Sequence, residues 1–284
     1  MEIPFKKDYK VSYFEVDYTM QVKPHRLVGI FQDLAVAHSD AAGFNLEWFD
    51  QNDKGWIITG WHVVINKRPT EGQKLSIATW SRRHKRVQAD RTFEAKDEQG
   101  NLVFYAESRW FLMDRIRRKP TRIPENFMEN YGVWQEGMDP KYKEPLIKDE
   151  TYGVVGLEDL EYLGSREFAV TRRDTDTNNH TNNITYIEWA MDDIEDELYL
   201  DYEIKDIKVK YDLECKKGDL VRSNHYGRKL EDGRIEVSSV FQSATAPATD
   251  QDQPSDISGE TAAKSLSKPK THCQVTTIWQ NKYK

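Results

Sequence analysis

The feature that most restricts the fold of this chain is an order of elements that occurs twice. Residues 9–17 alternate polar and apolar, and residues 24–42 then carry Leu27, Ile30, Phe31, Leu34 and Ala35 at helical spacing. Pro24 suits a first helical turn and Gly43 suits the stop. Strand-like segments follow at 56–68, 74–81, 87–95 and 102–113, with turn chemistry at residues 69–72 and 97–100. The second half reads the same way: a strand at 167–173, a helix from 182 to about 197, then strands at 204–214, 220–230, 235–242 and 271–280. One strand, one long helix and four strands, taken twice, predict an α+β chain. They argue against a single barrel or a doubly wound parallel sheet.

The expected division is an N-terminal domain over 1–130, a linker over 131–165 and a C-terminal domain over 166–284. The linker is read from its glycines, prolines and charges. Residues 243–270 contain no aromatic side chain and, as large aliphatics, only Ile257 and Leu266. Such a segment cannot offset its ordering entropy by burial, so disorder is expected there.

Composition narrows the function. The net charge of −7 disfavours nucleic acid as the main partner, although 82–86 and 115–119 are locally basic. No run of eighteen apolar residues occurs, so no membrane span is expected. The N-terminus carries neither a signal-peptide core nor a transit-peptide pattern, and two cysteines are too few for a disulfide framework; a cytoplasmic location is the expectation. The seven histidines and two cysteines show no metal-ligand spacing, and Gly-rich phosphate loops and the serine-hydrolase elbow are absent. Neither metal nor cofactor is expected.

Polar chemistry is concentrated at Asp176, Asn178 and His180, just before the second helix. On an extended chain, residues two apart project to one side, so an acid, an amide and an imidazole could line one wall beside a helix N-terminus. The same residues are also ordinary choices for a turn and a helix cap, and that reading stays open at this level. A gapless alignment of the halves sets Gln21, Lys23 and His25 opposite these three, which predicts that the first copy has lost the acid and the amide. One active site per chain, mainly from the second half, is expected. Glu214 would fall by strict alternation on a solvated strand face, and spacing alone does not select it. Cys215 could pair with a histidine as a nucleophile, but it follows the apolar alternation of a core position.

Asp176, Asn178, His180, Asn182 and Asn183, with Tyr186 and Trp189 downstream and the Glu214 and Cys215 pair, resemble the acyl-acyl carrier protein thioesterases of plants and bacteria. The resemblance covers the chain from about Tyr9 to Trp279. It implies two tandem hotdog folds, each a curved antiparallel sheet wrapped around a long central helix, and release of free fatty acid. It further implies Glu214 as general base on water, Asn178 and His180 as carbonyl polarisers, and Asp176 as the group that orients them. The acyl chain would lie in the first half, with Phe31, Trp56, Ile58 and Trp61 as lining candidates. Arg82, Arg83, Lys85, Arg86, Arg117, Arg118 and Lys119 become candidates for docking acyl carrier protein, which is acidic. A monomer or homodimer is expected. Rival readings are an acyl-coenzyme A thioesterase, a hydratase or dehydratase of acyl thioesters, and an acyl-thioester sensor without turnover.

Overall fold

In the computed structural model, which describes residues 3–149, 152, 156–244 and 269–283, the duplication is plain in the strand order. The first half contains β1 (Phe5–Lys10), α1 (Pro24–Ala41), α2 (Leu46–Gln51), β2 (Lys54–Ile65), β3 (Lys74–Lys85), β4 (Gln88–Lys96), β5 (Leu102–Asp114), the two-residue β6 (Lys119–Pro120) and α3 (Glu125–Asn130). The second contains β7 (Glu161–Ala169), α4 (Asn183–Met191), α5 (Asp196–Asp201), β8 (Tyr202–Tyr211), β9 (Leu220–Lys229), β10 (Ile235–Ser243) and β11 (Thr271–Asn281). The path β1-β3-β4-β5-β2 continues directly into β8-β11-β10-β9-β7, its counterpart read in reverse. This is the tandem hotdog arrangement, with both halves sharing one antiparallel sheet.

The seam is β2 against β8, where Trp61 lies opposite Val209 and Val63 opposite Ile207. These four side chains are buried on the inner face, against the helices. Helix α1 is buried around most of its circumference, as a helix enclosed by a sheet must be. Phe31 anchors it by stacking on Phe93 and packing at a tilt on Phe104, with ring centroids 5.0 and 4.7 Å away. Helices α1 and α4 pack on each other where Gly29 meets Ile184.

Asp149 and Tyr152 lie on the outer face of the seam. Tyr152 seats directly on Gly60, where any Cβ would come within 2.6 Å of its own. Beside it, Asp149 bonds His62 through its carbonyl and Lys208 through its carboxylate. The expected linker is therefore not wholly a crossing: Tyr131 and Val133 belong to a small apolar core with Phe44, Phe49 and Phe127, and β7 begins at Glu161.

Several expected boundaries are corrected. The alternating residues 9–17 form only the end of β1, because Ser12 and Glu15 close a capping box that turns the chain into a short 3-10 helix. The strand expected at 167–173 is displaced to β7, followed by the equivalent turn at Arg172–Asp174. The helix expected to reach residue 197 stops at Met191, where successive acidic residues oppose the negative end of the helix dipole and Asp193 turns inward to His225. Most of the 243–270 insertion lies outside the described residues; its ends are joined by Ser243 N–H donating to the Lys270 carbonyl at 2.9 Å.

Candidate active site

Asp176, Asn178 and His180 occupy a tight hairpin rather than an extended wall. Thr175 pairs with Thr181, Asp176 N–H donates to the His180 carbonyl at 2.8 Å, and Asn179 takes the left-handed conformation at φ 60°. Within it, Asp176 Oδ1 accepts from the backbone N–H of Asn178 at 2.8 Å and of His180 at 3.2 Å. Asp176 thus fixes the loop through its backbone, as an Asx turn does. Asn182 caps α4 by accepting from Ile184 N–H at 3.2 Å, so the hairpin leads straight into the helix N-terminus.

Glu214 reaches this loop because the chain bends at the end of β8: Asp212 and Leu213 N–H both turn to the His272 carbonyl. Alternation therefore stops governing its side chain. His180 Nε2 lies 3.3 Å from Glu214 Oε2, and Arg118 Nη2, from the first half, lies 3.1 Å from the same oxygen. Oε1 has no hydrogen-bond partner among the described residues. Cys215 is fully buried and its thiol is pushed up to about 11 by burial, which removes it as a thiolate near neutrality. Its carbonyl instead ties down Thr181.

The first half builds the same hairpin. Val16 pairs with Val22, Asp17 N–H donates to the Gln21 carbonyl at 2.9 Å, and Met20 sits at φ 62°. Structural register therefore places Asp17, Thr19 and Gln21 opposite Asp176, Asn178 and His180, correcting the gapless alignment to Gln21, Lys23 and His25. The acid is retained as Asp17; only the amide and imidazole are replaced. The pairing of Gln21 with Thr70 and of His180 with Lys216 sets Arg68 opposite Glu214. Arg68 donates to Asp17 Oδ2 at 3.0 Å and to Tyr199 Oη at 3.1 Å. Burial alone would raise the Asp17 carboxyl, but hydrogen bonds from Thr19 and Tyr199 and the Arg68 charge outweigh it and hold it low.

A cavity of about 1050 Å³ joins the second-half hairpin to the interior of the first half. Asp176, Asn178 and Asn182 line it on one side, with His180 and Glu214 outside its lining; α1, α2, Tyr131 and residues of β2, β3, β4 and β5 line the rest. Of the four lining candidates, Trp56 faces this cavity, while Phe31, Ile58 and Trp61 pack in the main core. Among the docking candidates all but Arg82 are exposed, and of these Lys85, Arg86, Arg117 and Lys119 form no ion pair among the described residues. Arg82 is instead buried against Glu107 at 3.0 Å, Arg83 is paired with Asp90, and Arg118 meets Glu214. The sequence reading missed Ser39, His84, Arg91 and Tyr131, which line the cavity. A signal existed for Arg91: it alternates with Ala89, Phe93 and Ala95 on the inner face of β4.

Residues 2–131 match the profile of the acyl-ACP thioesterase N-terminal domain, and residues 157–281 match that of the C-terminal domain. Oleoyl-acyl carrier protein thioesterase 1 of Arabidopsis thaliana is 24% identical over 78% of this chain and 63% of its own length. The palmitoyl-acyl carrier protein thioesterase of Gossypium hirsutum is 22% identical over 77% of this chain and 54% of its own. This chain thus spans less than two thirds of these relatives. An acyl-ACP thioesterase from Bacteroides thetaiotaomicron superimposes with a TM-score of 0.74 at 18% identity, covering 98% of both chains. The 12:0-ACP thioesterase from Umbellularia californica gives the same TM-score and identity, covering 98% of this chain and 94% of that one. With both domain profiles matched in order across most of its length, the chain belongs to the acyl-ACP thioesterase family.

Proposed function

We propose that this chain hydrolyses the fatty acyl thioester of acyl carrier protein to free fatty acid. The observation that carries the reading is the approach of His180 Nε2 to Glu214 Oε2, 3.3 Å, on a second-half hairpin that lines a first-half cavity. Glu214 accepts a proton from water through Oε1 as the water oxygen bonds to the thioester carbon. Asn178 and His180 polarise the carbonyl, and the N-terminus of α4 favours the developing oxyanion. Collapse of the tetrahedral adduct breaks the carbon–sulfur bond, and the proton held by Glu214 returns to the leaving thiolate. The acyl chain lies in the cavity, beside Trp56. Lys85, Arg86, Arg117 and Lys119 offer exposed positive charge to an acidic carrier. Two buried free cysteines suit a reducing compartment and support a cytoplasmic location.

Incubation with acyl-acyl carrier protein and with the matching acyl-coenzyme A, assayed for free thiol and free acid, tests this. Release of both products, faster from the carrier protein, is expected. Formation of a double bond without thiol release would place the chain among the hydratases and dehydratases; binding without turnover would make it a sensor.

A further inference from the structure

On strands β3 and β4 the cavity wall carries Ser81, His84 and Arg91 among apolar neighbours such as Phe44, Trp56, Ala89 and Trp110, and an unsubstituted alkyl chain would have no use for these polar groups. Arg91 lines the cavity while only 7% exposed. Its Nη1 donates to His38 Nδ1 at 2.7 Å and to Thr79 Oγ1 at 3.3 Å, and its guanidinium lies 5.6 Å from the Tyr131 ring centroid. No carboxylate meets it among the described residues. The other buried arginines of the first half differ: Arg68 lies 3.0 Å from Asp17, and Arg82 lies 3.0 Å from Glu107. A cation withdrawn from water without an anion is costly, so Arg91 marks a place for an acceptor.

Its surroundings do not supply the missing charge. Burial, aided by Arg91 itself, lowers His38 to about 2 and His84 to about 3, so both rings are neutral near pH 7. His84 Nε2 meets Ser81 Oγ at 2.9 Å, but its buried Nδ1 has no hydrogen-bond partner. Ser81, His84 and Arg91 all face the cavity, on strands β3 and β4, separated from β8 by β5 and β2.

Resting on the reading that this cavity receives the acyl chain, we propose that the preferred substrate carries an oxygen function on its distal part. A terminal carboxylate or hydroxyl would be received there by Arg91 and His84. A carboxylate supplies the anion that Arg91 lacks, and either group offers lone pairs to its remaining N–H groups. Substrate selection in this chain therefore depends on polarity at the far end as well as on length.

Two measurements on the whole protein test this. Tryptophan fluorescence, reporting through Trp56 and Trp110 beside the cavity, compares binding of saturated dicarboxylic and monocarboxylic acids of equal carbon number. Acyl-carrier thioesters of equal length, with and without a terminal carboxylate or hydroxyl, are compared by kcat/KM. The expected result is at least tenfold tighter binding of the diacid and at least tenfold higher kcat/KM for the oxygenated thioester. In Arg91→Met with an intact melting transition, both preferences should vanish, mainly through KM. Equal or better binding of the monoacid by the wild type overturns the proposal, whether or not the variant folds. So does an unchanged preference in folded Arg91→Met. Tight diacid binding with no hydrolysis of any thioester would overturn the hydrolase reading alone.

Discussion

Arg68 stands in the first half where Glu214 stands in the second, each two residues before the residue, Thr70 or Lys216, that bridges to its hairpin. One position thus holds opposite charges in the two copies. In the second half the carboxylate meets a histidine of the hairpin; in the first, the guanidinium locks onto Asp17, and Tyr199 from the opposite half covers both. The acid common to both hairpins is a backbone-fixing residue in each, and only its neighbours differ.

Removing Glu214 or His180 should abolish activity without unfolding the chain. Glu214→Ala and His180→Ala are each expected to lower turnover by about 10²–10⁴-fold, the usual weight of a positioned acid or base. Cys215→Ala should retain substantial activity. Steady-state kinetics beside thermal melts decide; an inactive but folded Cys215→Ala would require a thiol mechanism.

Arg68→Ala should act in the opposite manner. It leaves Asp17, whose side chain is 9% exposed, without its cation. A loss of about 3–5 kcal/mol of stability is expected, read from urea unfolding, while kcat at a temperature where the variant is folded changes little. A stability change below about 1 kcal/mol would mean that the pair behaves as an exposed one.

The histidines beside Arg91 give a signed pH dependence. Ordinary imidazole takes up its proton near 6.5, whereas His38 and His84 in the folded chain do so only at about 2 and about 3. Their contribution to stability is therefore complete above pH 6.5 and is lost as pH falls toward those values. Each adds a slope of up to about 1.4 kcal/mol per pH unit. Unfolding between pH 6.5 and 4.5 should show a shallower slope in His38→Gln than in the wild type; an identical slope would mean that His38 is accessible to protons.

Carrier docking should reside in Lys85, Arg86, Arg117 and Lys119, because Arg82 and Arg83 already have carboxylate partners. Exchange of these four for Ser should reduce kcat/KM on the carrier-protein substrate far more than on the coenzyme A substrate. The loss should shrink as salt shortens the screening length below its physiological value of about 8 Å. Equal losses on both substrates would leave these residues as solvated loop ends.

Cavity shape offers a separate test. Ala89→Phe places a ring at a cavity-lining position and should shift preference toward shorter acyl chains, as profiles of released acids would reveal. Trp61→Phe, in the main core, should lower the melting temperature without altering that profile.

The element order, both central helices and most strand spans were legible because enclosed helices and half-buried strands have different apolar periods. What escaped was the local backbone. Residues 9–17 alternate like a strand yet turn at Ser12, and Asp176, Asn178 and His180 sit on a hairpin tied by their own backbone rather than along a wall. The alignment of the halves slipped for the same reason: it compared letters, whereas the paired hairpins equate Asp17 with Asp176. Glu214 was hidden by a bend after Tyr211 that alternation cannot register. Arg91 was visible as a charge on an apolar period, but its significance depends on which long-range neighbours lack a carboxylate.

The seam between β2 and β8 also limits how such chains can diversify. A break between the two halves would strip Gly60–Val64 of β2 and Asp206–Lys210 of β8 of their strand partners and uncover the face along which α1 meets α4. Bare edges of that kind recruit foreign strands. The second half is therefore not a portable module. Any exchange between related chains must carry both halves together, or import a partner whose edge presents the equivalents of Trp61 and Val63 in register with Val209 and Ile207.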